Sequence, residues 1–266
     1  MIAPAPTDAE RAAAGRWLVK HGVDVPTLTD LLSLRLGFRA GARPPGSWRW
    51  IGVAVLGYAA VTIGFASLAF LPGVRGGELT DSSYVFFIII AQHLGYWLPA
   101  QVRDRQALAR FGTLDGPPRT EVPGWFLAVP LITFGGGAAL AVTIFATTPF
   151  RTFAGSWLLL LLLGAAVTAA MVTDVFRRPV IAEDATSRAV DTALRLQDLL
   201  MAMPGIYAVP TLVDPLVGHA QPPEWRPWLV GYAVLAVATQ VVVGVIQWRR
   251  LRAVLTETGG EVRGRA

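Results

Sequence analysis

Two polar side-chain positions fall where a membrane helix would place chemistry. His93, with Gln92 beside it, lies in the middle of the apolar run from Tyr84 to Ala100, and Gln240 lies in the middle of the run from Trp228 to Trp248. A polar or ionisable group at bilayer depth is costly, so it marks a ligand contact, a proton relay or a bond between helices. Imidazole can serve all three uses because it titrates near neutral pH. A carboxamide can only bind or brace. His93, Gln92 and Gln240 are therefore the candidate substrate-binding residues, with interhelical bonding the commoner use of such groups. Asp174 and Asp214 sit at the ends of apolar runs, within reach of water. No Asp, Glu, Lys or Arg reads as clearly buried in the membrane, which argues against a proton- or sodium-coupled pump.

Other catalytic constellations are missing from the sequence. His21, His93 and His219 are too scattered for the H-E-x-x-H zinc pattern. No phosphate-binding glycine loop precedes Lys20, and Gly135-Gly136-Gly137 fails the dinucleotide pattern because Leu140 takes the last glycine position. There is no G-x-S-x-G elbow. With no cysteine, disulfides, thiolate metal sites and cysteine nucleophiles are excluded. The expectation is a protein that is not an enzyme, with no catalytic residue, no metal and no cofactor.

The elements that would position these groups are helices in a bilayer. Hydrophobic residues make up 53% of the 266 residues and charged residues 15%, against about 25% charged in a soluble domain. The charges cluster between six apolar runs at about 51–71, 84–100, 125–146, 153–173, 196–213 and 228–248. At 1.5 Å rise per residue each reaches across a hydrocarbon core of about 30 Å, the second only just. The fifth run is the weakest, because Pro204 and Pro210 interrupt it and Asp214-Pro215 follows it. No apolar h-region opens the chain, so the first span is expected to direct insertion.

Orientation follows from the basic residues. Twenty of the 23 fall in the N-terminal segment, the connections after the second and fourth spans, and the C-terminal tail; only Arg75, Arg151 and Arg226 lie in the alternate loops. That asymmetry predicts both termini in the cytoplasm. It also requires the fifth run to cross, since otherwise the basic tail would lie outside. Trp48, Trp50, Trp97, Trp125 and Trp248 at inner ends, with Trp225 and Trp228 at an outer end, match the aromatic belts of a membrane protein. The net charge of +5 is thus explained by topology, and no nucleic-acid partner is expected.

The fold class predicted is all-α: a polytopic, six-helix transmembrane bundle (48–248) with N-terminal cytoplasmic amphipathic helices (1–47) and a basic cytoplasmic tail (249–266). Thr7-x-x-Glu10 reads as a capping box opening a helix that stops near Gly22. Thr27-x-x-Asp30 reads as a second start. Arg35, Arg39 and Arg43 recur every four residues along one face, so residues 28–40 are expected to lie on the inner membrane surface with these arginines at the headgroups. The connection at 174–198 is expected to be helical, with Asp184–Arg188 and Asp191–Arg195 pairs on one face. Gly135–Ala139, Gly164–Ala170 and Ala60-x-x-x-Gly64 offer small residues for close packing, and Gly135–Gly137 after Pro130 could form a kink.

Two resemblances accompany these readings. Arg177-Arg178-Pro179-Val180, Ala182-Glu183-Asp184 and Asp191-Thr192-Ala193-Leu194-Arg195 resemble a juxtamembrane pattern of uncharacterised multi-pass membrane proteins of high-GC bacteria, which implies no activity. The layout of amphipathic helix, six spans and long inner connection is similar to permease subunits of ABC-2 type transporters. That likeness implies an ATPase partner contacting residues 28–40 and 101–124. The sequence thus predicts a non-catalytic integral protein of the bacterial cytoplasmic membrane, with the lipid bilayer, and a second copy or an ATPase, as partners. The alternatives are an ABC-2-like permease subunit and a membrane sensor or intramembrane enzyme centred on His93.

Overall fold

The computed structural model describes residues 5–23, 25, 27–41, 48–112, 124–213 and 221–263. All the secondary structure among them is helical: α1 (Asp8–Lys20), α2 (Asp30–Arg39), α3 (Trp48–Leu68), α4 (Gly76–Phe111), α5 (Gly124–Thr147), α6 (Arg151–Arg177), α7 (Ala185–Met201), the single turn α8 (Pro210–Val213) and α9 (Arg226–Arg263). Short 3-10 turns at Pro204–Ala208 and Pro223–Trp225 precede α8 and α9.

Among the described residues, three stretches are long and apolar enough to cross a membrane: Gly124–Thr147, Arg151–Arg177 and Pro223–Thr256. About a third or less of each apolar window is buried inside the protein, and Leu131, Val142, Leu162, Val234 and Val241 are all more than half exposed. An apolar surface this extensive needs lipid rather than water around it. The chain is therefore an all-helical membrane protein.

Local sequence explains where helices begin. Thr7 and Glu10 form the expected capping box on α1, with the Thr7 hydroxyl accepting from the Glu10 amide at 3.2 Å. The second helix starts at Thr29 rather than Thr27, and the Thr29 hydroxyl accepts from the Leu32 amide at 3.3 Å. Asp184 caps α7 through a reciprocal box with Ser187. Both N-terminal helices end as glycine turns the chain: Gly22 (φ +70°) and Gly41 (φ +96°) adopt left-handed backbone that other residues avoid.

Two interruptions matter. Within α5, Leu131–Gly136 is wound as a π-helix, a form usually confined to single turns. The Tyr232 hydroxyl of α9 donates to the Thr133 carbonyl there at 2.7 Å. Gly137 permits this approach, because a Cβ at that position would lie 2.6 Å from the same hydroxyl oxygen. Tyr232→Phe removes the donor and is expected to lower stability by about 1–2 kcal/mol; denaturant titration of the purified protein in mixed micelles checks this.

The second interruption is the 196–213 segment. It is not one helix: α7 stops at Met201, Pro204–Ala208 is a tight 3-10 turn, and α8 follows. Gln240 of α9 accepts a hydrogen bond from the Gly205 amide, one of the donors a new helix leaves unpaired. Tyr207 is fully buried against Gly164 of α6, where a Cβ would lie 2.7 Å from the Tyr207 ring.

Four apolar clusters divide the molecule by level. The largest joins Phe65, Ile89, Ile144, Leu160, Tyr207 and Leu229 from the bundle. Phe126, Val175, Leu199, Met203 and Val243 form a second. Beyond it, Trp17, Leu18, Leu36, Leu194 and Leu251 unite α1, α2, α7 and the end of α9, while Leu31 of α2 meets Ala107 of α4 and Ile181. The N-terminal helices are thus part of a folded cap at one end of the bundle.

Candidate functional site

That cap is organised by arginine and aspartate. Arg35 and Arg39 stand one turn apart on α2, Asp191, Arg195 and Asp198 lie on the inward face of α7, Asp104 comes from α4, and Arg178 follows the end of α6. Arg35 Nε donates to Asp104 at 2.9 Å, and its Nη1 donates to the Ile181 carbonyl at 2.9 Å. The same Nη1 stands 2.7 Å from Asp191 as an ion pair, out of line for a hydrogen bond. Arg39 reaches Asp104 and Asp198, each at 2.9 Å. Arg178 is hydrogen-bonded to Asp104, and to Asp198 at 3.0 Å. Tyr96 closes the set by donating to Asp198 at 3.0 Å. The side chains of Arg35, Asp104 and Asp191 are each 2% exposed, and that of Arg39 is 0% exposed.

Charge balance in this lattice is instructive. Four guanidiniums face three carboxylates, leaving one excess positive charge. Arg195 pairs with Asp191 at 2.8 Å, and also donates to the carbonyls of Val175 (2.6 Å), Arg178 (2.8 Å) and Pro179 (2.7 Å). These carbonyls belong to the end of α6 and the turn after it. A helix C-terminus carries unpaired carbonyls and the negative end of the dipole, so it is the favourable place for the surplus cation. Burial alone would push the Asp104 carboxyl up, but Arg178, Arg39 and Arg35 outweigh it and hold the group well below the usual carboxylate range.

A second buried pair ties α1 to α4: Arg103 donates to Glu10 and, at 2.8 Å, to Gln106. The pairs on the outside are of a different kind. Asp30 bridges Arg11 at 3.2 Å and Arg110 at 3.1 Å with its side chain one-third exposed, where screening leaves such contacts little weight.

The sequence-predicted residues fare differently. Arg35 and Arg39 do not face headgroups. The whole of Leu31–Gly37 is buried, and both guanidiniums point into the lattice, which corrects the expectation of a helix lying on the membrane surface. Arg43 lies outside the described residues. His93 is buried, its Nδ1 3.1 Å from the Ile89 carbonyl one turn back and its ring stacked on Tyr207 at 5.3 Å. The His93 ring also meets the Met203 backbone, and the Tyr207 hydroxyl has no hydrogen-bond partner among the described residues. Gln92, the preceding residue of α4, is exposed, whereas His93 is buried. Gln240 bonds the Gly205 backbone, so the structure brings neither glutamine together with His93. The described residues contain no group of three or more His, Cys, Asp or Glu that could hold a metal ion.

The lattice aspartates escaped sequence reasoning, except that Asp191–Arg195 was expected as a surface pair. One signal was present. Arg35 and Arg39 share a face of one helix, while Asp191 and Asp198, two turns apart, share a face of another. Matching stripes of opposite charge on two helices are a pattern for docking them.

Fold and site together define a helical membrane protein with a folded cap locked by buried ion pairs at one end of its bundle. No family model matches the chain, and no curated protein or solved structure is similar to it.

Proposed function

We propose that the chain is a non-catalytic protein of the bacterial cytoplasmic membrane that crosses the bilayer six times and carries its ion-locked cap on the cytoplasmic side. The observation that carries this reading is the lattice itself. Its arginines and aspartates are directed at one another and at helix ends, as in a structural clamp; a cavity of about 240 Å³ borders Asp104 and Arg178, but both are engaged within the lattice.

Several features support the topology. The Arg75 amide, in the turn between α3 and α4, donates to Thr152 at the start of α6 at 2.8 Å, so two of the arginine-poor loops meet at the end away from the cap. In the third, Gln221 donates to the Thr211 carbonyl at 2.7 Å. The broken 196–213 segment follows α9 in depth: Leu196 shares a cluster with Leu251, Leu199 with Val243, Gly205 meets Gln240, and Thr211 meets Gln221. It would cross as an irregular span whose freed backbone groups are met by neighbouring helices. Without native cysteine, single-cysteine variants at Arg105 and Arg188, against the exposed Phe70 and Glu224, test the arrangement directly. Membrane-impermeant maleimide added to intact cells should label the latter pair and spare the former. Labelling of Arg105→Cys from outside would sink the reading.

The permease alternative requires an open face on residues 28–40 for an ATPase, and α2 is buried along Leu31–Gly37. The reading centred on His93 keeps one favourable observation, the unpartnered Tyr207 hydroxyl beside the His93 ring within the bundle. His93→Ala with no change in any growth or stress phenotype of the host would remove it.

A further inference from the structure

Beside the lattice, and sharing Arg39 with it, lies a groove of about 640 Å³ between α1, the end of α2, α7 and α9, within the size range of small-molecule sites. One end is cationic: Arg16 and Lys20 stand one turn apart on α1, and both are exposed. Neither forms an ion pair with a described residue, in contrast to Arg39, whose guanidinium also borders the groove but is fully engaged by Asp104 and Asp198. Among the described residues, no carboxylate lines the groove. The other end is apolar, running over Leu200, Met201, Val241 and Gly244. Val241 is 58% exposed and belongs to the lipid-facing surface of α9.

Aromatic residues mark the boundary between the two ends. His21 stacks on Trp17 at 4.0 Å and meets the edge of Trp248 at 6.0 Å. Burial, then the nearby Lys20 and Arg252, hold the His21 imidazole below its usual range, a sign of positive potential at this level. Tryptophan settles at headgroup depth, so cations lie at the headgroups and the apolar end lies among acyl chains.

We propose that this groove binds a phosphate-bearing amphiphile, its anionic head at Arg16 and Lys20 and its chain along Leu200, Val241 and Gly244. The charge selects the anion, because two cations that no described carboxylate pairs with attract a net-negative phosphate head and give a zwitterionic head no advantage. The apolar half selects an amphiphile over a free anion. Gly244 leaves the chain its room: a Cβ there would meet nothing within 4 Å.

The site rests on the membrane topology proposed above, but binding in detergent does not depend on which end faces the cytoplasm. Failure of the groove is therefore separable from failure of the topology. The experiment is native mass spectrometry of the full-length protein in detergent, titrated with dioleoyl-phosphatidylglycerol, dioleoyl-phosphatidylcholine or inorganic phosphate. Phosphatidylglycerol should bind at least about 10-fold more tightly than phosphatidylcholine, and Arg16→Gln with Lys20→Gln should weaken it roughly 30-fold. Gly244→Leu should fill the apolar end and abolish retention without lowering the thermal midpoint. Equal affinity for the two lipids, or an unaffected double variant, would overturn the proposal. Inorganic phosphate binding as tightly as the lipid, with Gly244→Leu neutral, would show a simple anion site and overturn it as well.

Discussion

Asp104→Asn is expected to lower stability by about 3–5 kcal/mol, the cost of removing one partner from a buried ion pair. The carboxylate lies among Arg35, Arg39 and Arg178. Asparagine keeps the shape but removes the charge, leaving those three guanidiniums and Arg195 to share Asp191 and Asp198. Desolvated cations without compensation are what makes such losses large. Asp30→Asn is the control. It removes two ion pairs, but at the surface, where each exposed pair contributes about 0–1 kcal/mol. Parallel denaturant titrations of the two variants in mixed micelles measure the contrast. Equal losses would show that the lattice is not the clamp described above.

The same residue fixes an acid limb. Because the folded protein holds Asp104 well below the usual carboxylate range, the unfolded chain takes up its proton first as pH falls. The stabilisation is therefore complete above the unfolded value of about 3.9 and is lost as pH drops toward the lower folded value. Asp104→Asn should start less stable and show a shallower decline through that acid window.

Gly37→Val is expected to produce the next largest loss, about 1–3 kcal/mol from overpacking with a further loss if the Arg103–Glu10 pair opens. Where α1 crosses α2, a Cβ on residue 37 would lie 2.6 Å from Glu10 Cβ and 2.8 Å from Glu10 Cα. A side-chain tip can swing aside, but the Cα of a packed helix cannot. Helix α1 must therefore move off α2, drawing Glu10 away from Arg103. Gly15→Ala on the same cap is the control, since a Cβ there meets nothing within 4 Å. Proteolytic release of the N-terminal segment, followed against time, should accelerate in Gly37→Val and stay unchanged in Gly15→Ala.

Much of the architecture was legible from residue types. The runs 125–146 and 153–173 correspond within a few residues to α5 and the apolar part of α6, and the Thr7–Glu10 box with the stop near Gly22 located α1. These features depend on neighbours in the chain and on the solvent around it, both of which composition and spacing report directly. The 196–213 run was already doubtful from its two prolines, and the fold shows the reason: the helix breaks, and Gln240 receives the amide left over.

Arg35 and Arg39 show where such reading stops. Every fourth residue basic on an amphipathic helix describes a membrane-surface helix and a buried docking helix equally well, because both need charge and hydrocarbon on separate faces. The difference lies in what stands opposite, and Asp104, Asp191 and Asp198 come from 65 to 163 residues further along the chain. Local pattern therefore determined that the protein is helical, suited to a bilayer, and basic between its apolar runs. Only tertiary structure decided that those charges are spent on one another, because an ion pair is a property of two positions in space and the sequence states only one at a time.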